Sequence, residues 1–275
     1  MIDTKPILIL GGTGKTGRRL AERLTARGIP ARIGSRSAAP RFDWEAPASW
    51  VPALEGVSAV YISYYPDIAV PGAAEVIGAF ARLAVRHGVR RLVLLSGRGE
   101  PEAQRAEEML KASGADWTIL RCAWFSQNFS EGLLVEPLLA GEVALPVGPV
   151  GEPFVDVDDI ADAAEAVLTE PGHVGQLYEL TGPRLLSFTD AVAEIAKAAG
   201  RDIRFVRISH DEFTASVTSH ELPPEIVWLL DELFTQVLDG RNESLTDGVQ
   251  RVLGRAPKDF SAYATETAAT GIWSN

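Results

Sequence analysis

Short, unbroken apolar runs recur through the first half of the chain, and between them apolar residues return every third or fourth position. A short unbroken run predicts a strand buried on both faces, whereas the longer period predicts a helix with one apolar stripe. Strands are therefore expected at Ile7–Leu10, Ala31–Ile33, a brief segment around Phe42, Ala59–Ile62, Leu92–Leu95 and Trp117–Leu120. Helices are expected over Lys15–Arg27, Ala73–Arg86 and Glu102–Ala112. Leu20 and Leu24 share one face of the first helix, and Gly28 and Ser113-Gly114 supply stops. Strands alternating with helices predict an α/β fold with a doubly wound parallel sheet.

The rhythm changes after Cys122. Trp124, Phe125 and Phe129 crowd together, and prolines and glycines scatter from Pro137 to Pro153. Asp156 can cap a helix whose apolar residues Val157, Ile160, Ala164, Val167 and Leu168 keep helical spacing. Gln176–Leu180 reads as a further strand able to complete the sheet. A helix over Phe188–Ala199, a strand over Ile203–Val206 and several helices follow.

Composition narrows the function classes. A net charge of −11 over 275 residues disfavours nucleic acid and anionic membranes, both of which want basic surface. Cys122 is the single cysteine, so neither an intramolecular disulfide nor a thiolate metal site is expected. Met1-Ile2-Asp3-Thr4-Lys5 has no basic leader, and no apolar run reaches membrane-spanning length. The expectation is a cytoplasmic protein with a small-molecule partner. The sequence assigns no oligomeric state.

The sharpest local signal is Gly11-Gly12-Thr13-Gly14-Lys15-Thr16-Gly17, set between a strand and a helix. Gly11 and Gly14 let the backbone turn and approach a pyrophosphate, and Gly17 lets the helix pack close to the strand. The helix N-terminus then offers free N–H groups to phosphate. Gly14-Lys15-Thr16 also imitates the end of a triphosphatase phosphate loop. That motif needs glycine where Ile9 stands. A dinucleotide site is the reading that survives, with residues 1–150 as an NAD(P)-binding Rossmann domain completed by 176–181. Residues 151–275 are then a smaller, mostly helical substrate-binding region.

In such folds the end of the second strand selects the cofactor: an acid binds the ribose 2′-hydroxyl, an arginine accommodates a 2′-phosphate. This chain has Gly34-Ser35-Arg36-Ser37 and no acid, so NADP(H) is preferred, with NAD(H) as the alternative. Asp43-Trp44 falls where such folds contact adenine; the plainer reading is a turn beside a half-buried aromatic.

Several segments together resemble the NmrA-like family of atypical short-chain dehydrogenases. They are Gly11–Arg18, Ser35-Arg36, Phe42-Asp43-Trp44, Leu94–Gly97, Ser113–Arg121, Trp124–Phe129, Phe154–Ala161 and Tyr178–Pro183. The branch holding ergot-alkaloid iminium reductases is the most similar one. The resemblance implies an NADPH-dependent reductase of a planar, electron-poor compound, a quinone, anthraquinone or cyclic iminium, with secondary metabolism as one setting. It also admits a non-catalytic redox sensor that regulates a protein partner. Two departures bear on the chemistry. No tyrosine lies between Tyr65 and Tyr178, so the helix after Ser96 cannot carry the Tyr/Lys pair of standard short-chain dehydrogenases. And Cys122 stands where the family often has proline, which would place a thiol near the nicotinamide ring; the plainer reading is a small buried hydrophobe.

Catalytic candidates are Tyr65 and Ser96. Cofactor candidates are Gly11, Thr13, Gly14, Lys15, Thr16, Gly17, Ser35, Arg36, Asp43, Trp44, Ser96, Gly97 and Cys122. Pocket candidates are Tyr65, Trp124, Phe125, Asn128, Phe154 and Trp228, for which core or helix packing is the competing role. Asp156, Asp158 and Asp159 are better explained by a helix N-terminus than by a metal. His87, His173, His210 and His220 share no ligand spacing, and no metal is expected.

Overall fold

The computed structural model describes residues 5–219 and 222–274. His220, like the first four residues, lies outside them. Ile7–Leu10 (β1) enters as a strand without a polar position, and Leu8, Ile9 and Leu10 have no exposed surface. Lys15–Ala26 (α1), Ala31–Gly34 (β2), Trp50–Leu54 (α2), Ala59–Ile62 (β3) and Ala73–Arg86 (α3) follow. Arg91–Gly97 (β4), Pro101–Lys111 (α4) and Asp116–Cys122 (β5) complete the first half. Beyond them come Val135–Ala140 (α5), Glu142–Leu145 (β6), Val157–Thr169 (α6) and Gln176–Leu180 (β7). Phe188–Ala199 (α7), Arg204–Arg207 (β8), His210–Ser219 (α8), Pro224–Glu232 (α9), Gly248–Leu253 (α10) and Phe260–Ala268 (α11) end the chain. No helix is long and apolar enough to cross a membrane among the described residues.

The main sheet has six parallel strands in the order β2-β1-β3-β4-β5-β7. The chain leaves β1 toward β2 on one side and returns to β3 on the other. That reversal opens a crevice at the carboxyl end of β1, where open α/β sheets bind ligands. The strand expected around Phe42 is instead a loop. Phe42 N–H donates to Ser35 O at 2.9 Å, closing a turn, and the ring is buried against Trp44 and Phe80. The sixth strand is β7. β6, which the sequence reading missed, pairs with β8 in a separate two-stranded parallel sheet.

The chain divides into two compact units, and the cut falls at Cys122 rather than at residue 150. The first unit is the chain up to Cys122 together with Asp158–Leu180 and Gly248–Arg255. Arg19 and Arg23, one turn apart on α1, pair with Asp158 and Asp162 of α6, and Arg27 reaches Glu165. Arg255 adds pairs to Asp159 and Asp162. These ion pairs tie the returning helix to the sheet domain. α10 comes so near the edge strand that a Cβ on Gly248 would sit 1.9 Å from Glu179 O.

The second unit is Ala123–Val157, Thr181–Asp247 and the chain from Ala256. Its core is aromatic: Phe129, Phe154, Phe188 and Phe260 meet one another at 5.3–5.7 Å between ring centres. Those spacings suit edge-on and tilted packing.

Candidate functional site

The glycine loop is built by backbone crowding. Gly11 adopts φ +69, its N–H reaches Gly34 O at 3.2 Å, and Gly14 N–H returns to Gly11 O at 2.9 Å. A Cβ on Gly17 would stand 2.3 Å from Gly11 O and 2.8 Å from Gly12 Cα, so α1 seats on the strand only with glycine there. Gly14, by contrast, faces open space apart from Gly11 O at 3.2 Å. Gly14 caps α1 without a side-chain bond, and the first turn holds no acid. A helix start left in that condition is suited to an anion. Thr13 and Gly14 are exposed at its rim, and Lys15 is half-buried. Thr16 is not available as a side chain: it is buried beside Tyr61, whose phenol burial pushes up. Its backbone remains part of the loop. Near Lys15 the sequence reading passed over Asp67. Burial raises that carboxyl, while the Ala69 N–H at 2.8 Å and the Lys15 charge oppose the rise.

At the end of β2, Ser35 Oγ lies 3.3 Å from Ser37 Oγ, and Arg36 follows with its guanidinium carbon 5.1 Å from the centre of the Tyr65 ring. Tyr65 is thus placed beside Arg36. Asp43 accepts from Arg41 at 2.6 Å and from Glu45 N–H, which together hold its carboxyl below the ordinary range. Trp44 packs against Phe42, Trp50, Tyr64 and Phe80, so its ring serves the core.

At the end of β4, Ser96 meets a carboxylate and not solvent. Ser96 is buried and donates to Glu107 Oε1 at 2.6 Å. Arg121 donates to the same carboxylate and, at 2.8 Å, to Glu179 Oε1. The Ser96 hydroxyl is thus one donor of a buried charge network. Gly97 is half-buried, and the Glu100 carboxylate lies where a Cβ would project. Cys122 is buried with Sγ 3.6 Å from Leu120 O, and burial, then Glu100, pushes its thiol up. Burial and a raised pKa are the surroundings in which a thiol is unreactive. Glu107 had a sequence signal: it shares the buried stripe of α4 with Ala103, Ala106 and Leu110. A charge on an apolar stripe demands a buried partner.

The remaining pocket candidates belong to the second unit. Trp124 is half-buried, its ring 5.3 Å from Phe234, and its enclosed Nε1–H has no acceptor among the described residues. Phe125 pairs as a bridge with Val155, and half-buried Asn128 sits in the short turn Ser126–Phe129. Phe154 belongs to the aromatic core, and Trp228 is 40% exposed on α9. In the same unit a groove of about 600 Å³ is lined by His210, Asp211, Thr214, Ala215 and Thr218. Asp156 faces Gln127 at 3.0 Å and Lys258 at 3.4 Å. Among the described residues, no three His, Cys, Asp or Glu side chains gather as metal ligands.

A family model described as NAD(P)H-binding matches residues 11–171. An uncharacterized oxidoreductase, YesF of Bacillus subtilis, is 32% identical over 99% of both chains. Prestalk A differentiation protein A of Dictyostelium discoideum is 30% identical over 95% of this chain and 92% of its own. Agroclavine dehydrogenase of Claviceps fusiformis is 28% identical over 97% and 98%. Among solved structures, the Escherichia coli NADPH-dependent quinone oxidoreductase with NADPH superposes at TM-score 0.79, with 23% identity over 94% and 99%. The Citrobacter sp. triphenylmethane reductase with NADP(H) superposes at 0.75, with 19% identity over 96% and 99%. The matched family spans the glycine loop, β2 to β5 and α6, and the chain belongs to it: an NAD(P)H-binding protein with a Rossmann-type fold.

Proposed function

We propose that the protein is an NADPH-dependent reductase that transfers hydride to a planar, electron-poor small molecule, a quinone or a cyclic iminium. The observation that carries this reading is the bonded state of Ser96. With its hydroxyl given to Glu107, and no Tyr/Lys pair in the chain, the end of β4 presents no ready proton donor. An acceptor that is already electron-poor needs little acid help, so orientation can supply most of the catalysis. NADPH, when bound, supplies the hydride. The glycine loop and the start of α1 fit its pyrophosphate, and Arg36 fits a 2′-phosphate because its donors are unengaged among the described residues. The names carried by the relatives, a clavine dehydrogenase, a quinone oxidoreductase and a dye reductase, support this substrate class.

The test is NADPH oxidation by the purified chain against a panel of quinones and cyclic iminium compounds. Multiple turnovers with one class support the reading and name the class. NADPH binding without turnover on any member sinks it and favours a dinucleotide sensor acting on a protein partner. The same bonded Ser96 is what would favour that second reading.

A further inference from the structure

We infer that Tyr65 is a positioning residue for the cofactor's 2′-phosphate, acting through Arg36. This rests on the NADPH reading above. The loops that leave β2 and β3 meet where the Arg36 guanidinium sits over the Tyr65 ring, 5.1 Å from its centre. Tyr65 is 63% exposed, and among the described residues no other aromatic ring meets it. A large ring left that open is not serving a core. Among the described residues the charged group that meets the ring is Arg36.

The two parts of a guanidinium explain why the contact matters. Attraction to a ring uses the positive plane above the aromatic face, whereas the N–H donors form a rigid fork that matches phosphate. Stacking therefore fixes the group without using its donors. Among the described residues Arg36 makes no hydrogen bond and no ion pair within 4.0 Å. Its neighbours differ: Arg41 is bonded to Asp43 at 2.6 Å, and Arg32 donates to the carbonyls of Ala53 and Glu55 at 2.9 and 2.6 Å. Asp43 also feels the Arg36 charge. Without the ring, a flexible arginine could swing onto that carboxylate, and a phosphate would have to compete with it. With the ring, less side-chain freedom is lost on binding.

The experiment is calorimetric titration of the full chain with NADPH, NADH, 2′,5′-ADP and 5′-AMP. The variants are Tyr65→Leu, Tyr65→Phe, Arg36→Ala and Arg36→Ala/Tyr65→Leu. Tyr65→Leu is expected to weaken NADPH and 2′,5′-ADP about two- to fivefold, the range of an exposed cation–π contact. NADH and 5′-AMP should not change, and Tyr65→Phe should restore the wild-type preference because the ring remains. In the Arg36→Ala background the Tyr65→Leu change should have no further effect. Equal weakening of NADH and NADPH overturns the inference, as does unchanged NADPH affinity or a loss that persists without Arg36. If Arg36→Ala leaves the NADPH preference intact, the phosphate reading itself fails, and the role of Tyr65 fails with it.

Discussion

The Ser96 hydroxyl and Arg121 Nε donate to the same oxygen of Glu107, at 2.6 and 2.8 Å. The second Glu107 oxygen takes another Arg121 donor, and Arg121 extends to Glu179. Glu107 is buried, so these bonds replace the water its carboxylate would otherwise meet. Glu107→Gln is expected to lower stability by about 3 kcal/mol, the scale for removing one partner of a buried ion pair. Ser96→Ala, which removes one neutral donor, should cost about 1 kcal/mol. Urea unfolding reads both. Ser96→Ala should also leave single-turnover hydride transfer within about threefold of wild type; a loss of a hundredfold or more, the general-acid range, would put Ser96 into the chemistry.

Gly17→Ala and Gly14→Ala should separate folding from cofactor binding. At Gly17 the added methyl meets backbone on two sides, at 2.3 and 2.8 Å, and backbone cannot swing away as a side chain can. Destabilisation of about 3 kcal/mol or failure to fold is expected, at the upper end for overpacking. At Gly14 the methyl meets only Gly11 O at 3.2 Å and otherwise projects into the open side of the loop. The Gly14 variant should therefore fold with a thermal midpoint near that of wild type while NADPH affinity falls at least tenfold. Unchanged affinity in a folded Gly14→Ala protein would remove the pyrophosphate from this loop.

What the sequence revealed was what is encoded locally. Leu8–Leu10 and Val60–Ile62 lack polar positions because both faces of those strands are covered, and the glycine loop is read from consecutive residues. Phe42 misled because burial alone does not distinguish a strand from a loop pinned by Trp44 and Phe80. The division at Cys122 was hidden because α6 returns through pairs such as Arg23 with Asp158, 135 residues apart. β6 was obscured by flanking glycine and proline, and its partner β8 comes about sixty residues later. At the site, the Tyr65–Arg36 and Ser96–Glu107 relationships are side-chain meetings between separate segments. No periodicity records them.

Cys122 should be silent toward thiol reagents in the folded protein. Burial holds its thiol protonated, and the attacking species in thiol chemistry is the thiolate. An aromatic disulfide reagent should release no chromophore from native protein at neutral pH over minutes, and one equivalent in denaturant. Cys122→Ala should leave NADPH affinity unchanged. Rapid labelling of native protein, slowed by bound NADPH, would return the thiol to the cofactor site.

In the second unit, Arg184 grips Asp259 with two donors, at 2.7 and 2.9 Å, while a third reaches Glu194 at 2.8 Å. Arg184, ahead of the Ser261 bonds, holds the Asp259 carboxyl well below the ordinary carboxylate range. The folded pKa is thus depressed relative to the unfolded one. Its stabilisation is fully present above the unfolded value of about 4 and is lost as pH falls through the folded value. Arg184→Met should be less stable than wild type by about 1 kcal/mol near pH 7, since the pair is partly exposed. The two proteins should converge as the solution is acidified below about pH 4, where Asp259 in the variant is already protonated and wild type loses its advantage. Urea midpoints taken from near-neutral to strongly acidic pH show whether the gap closes. A gap that stays constant would mean that Arg184 stabilises the fold by packing its methylenes, not by holding a charged Asp259.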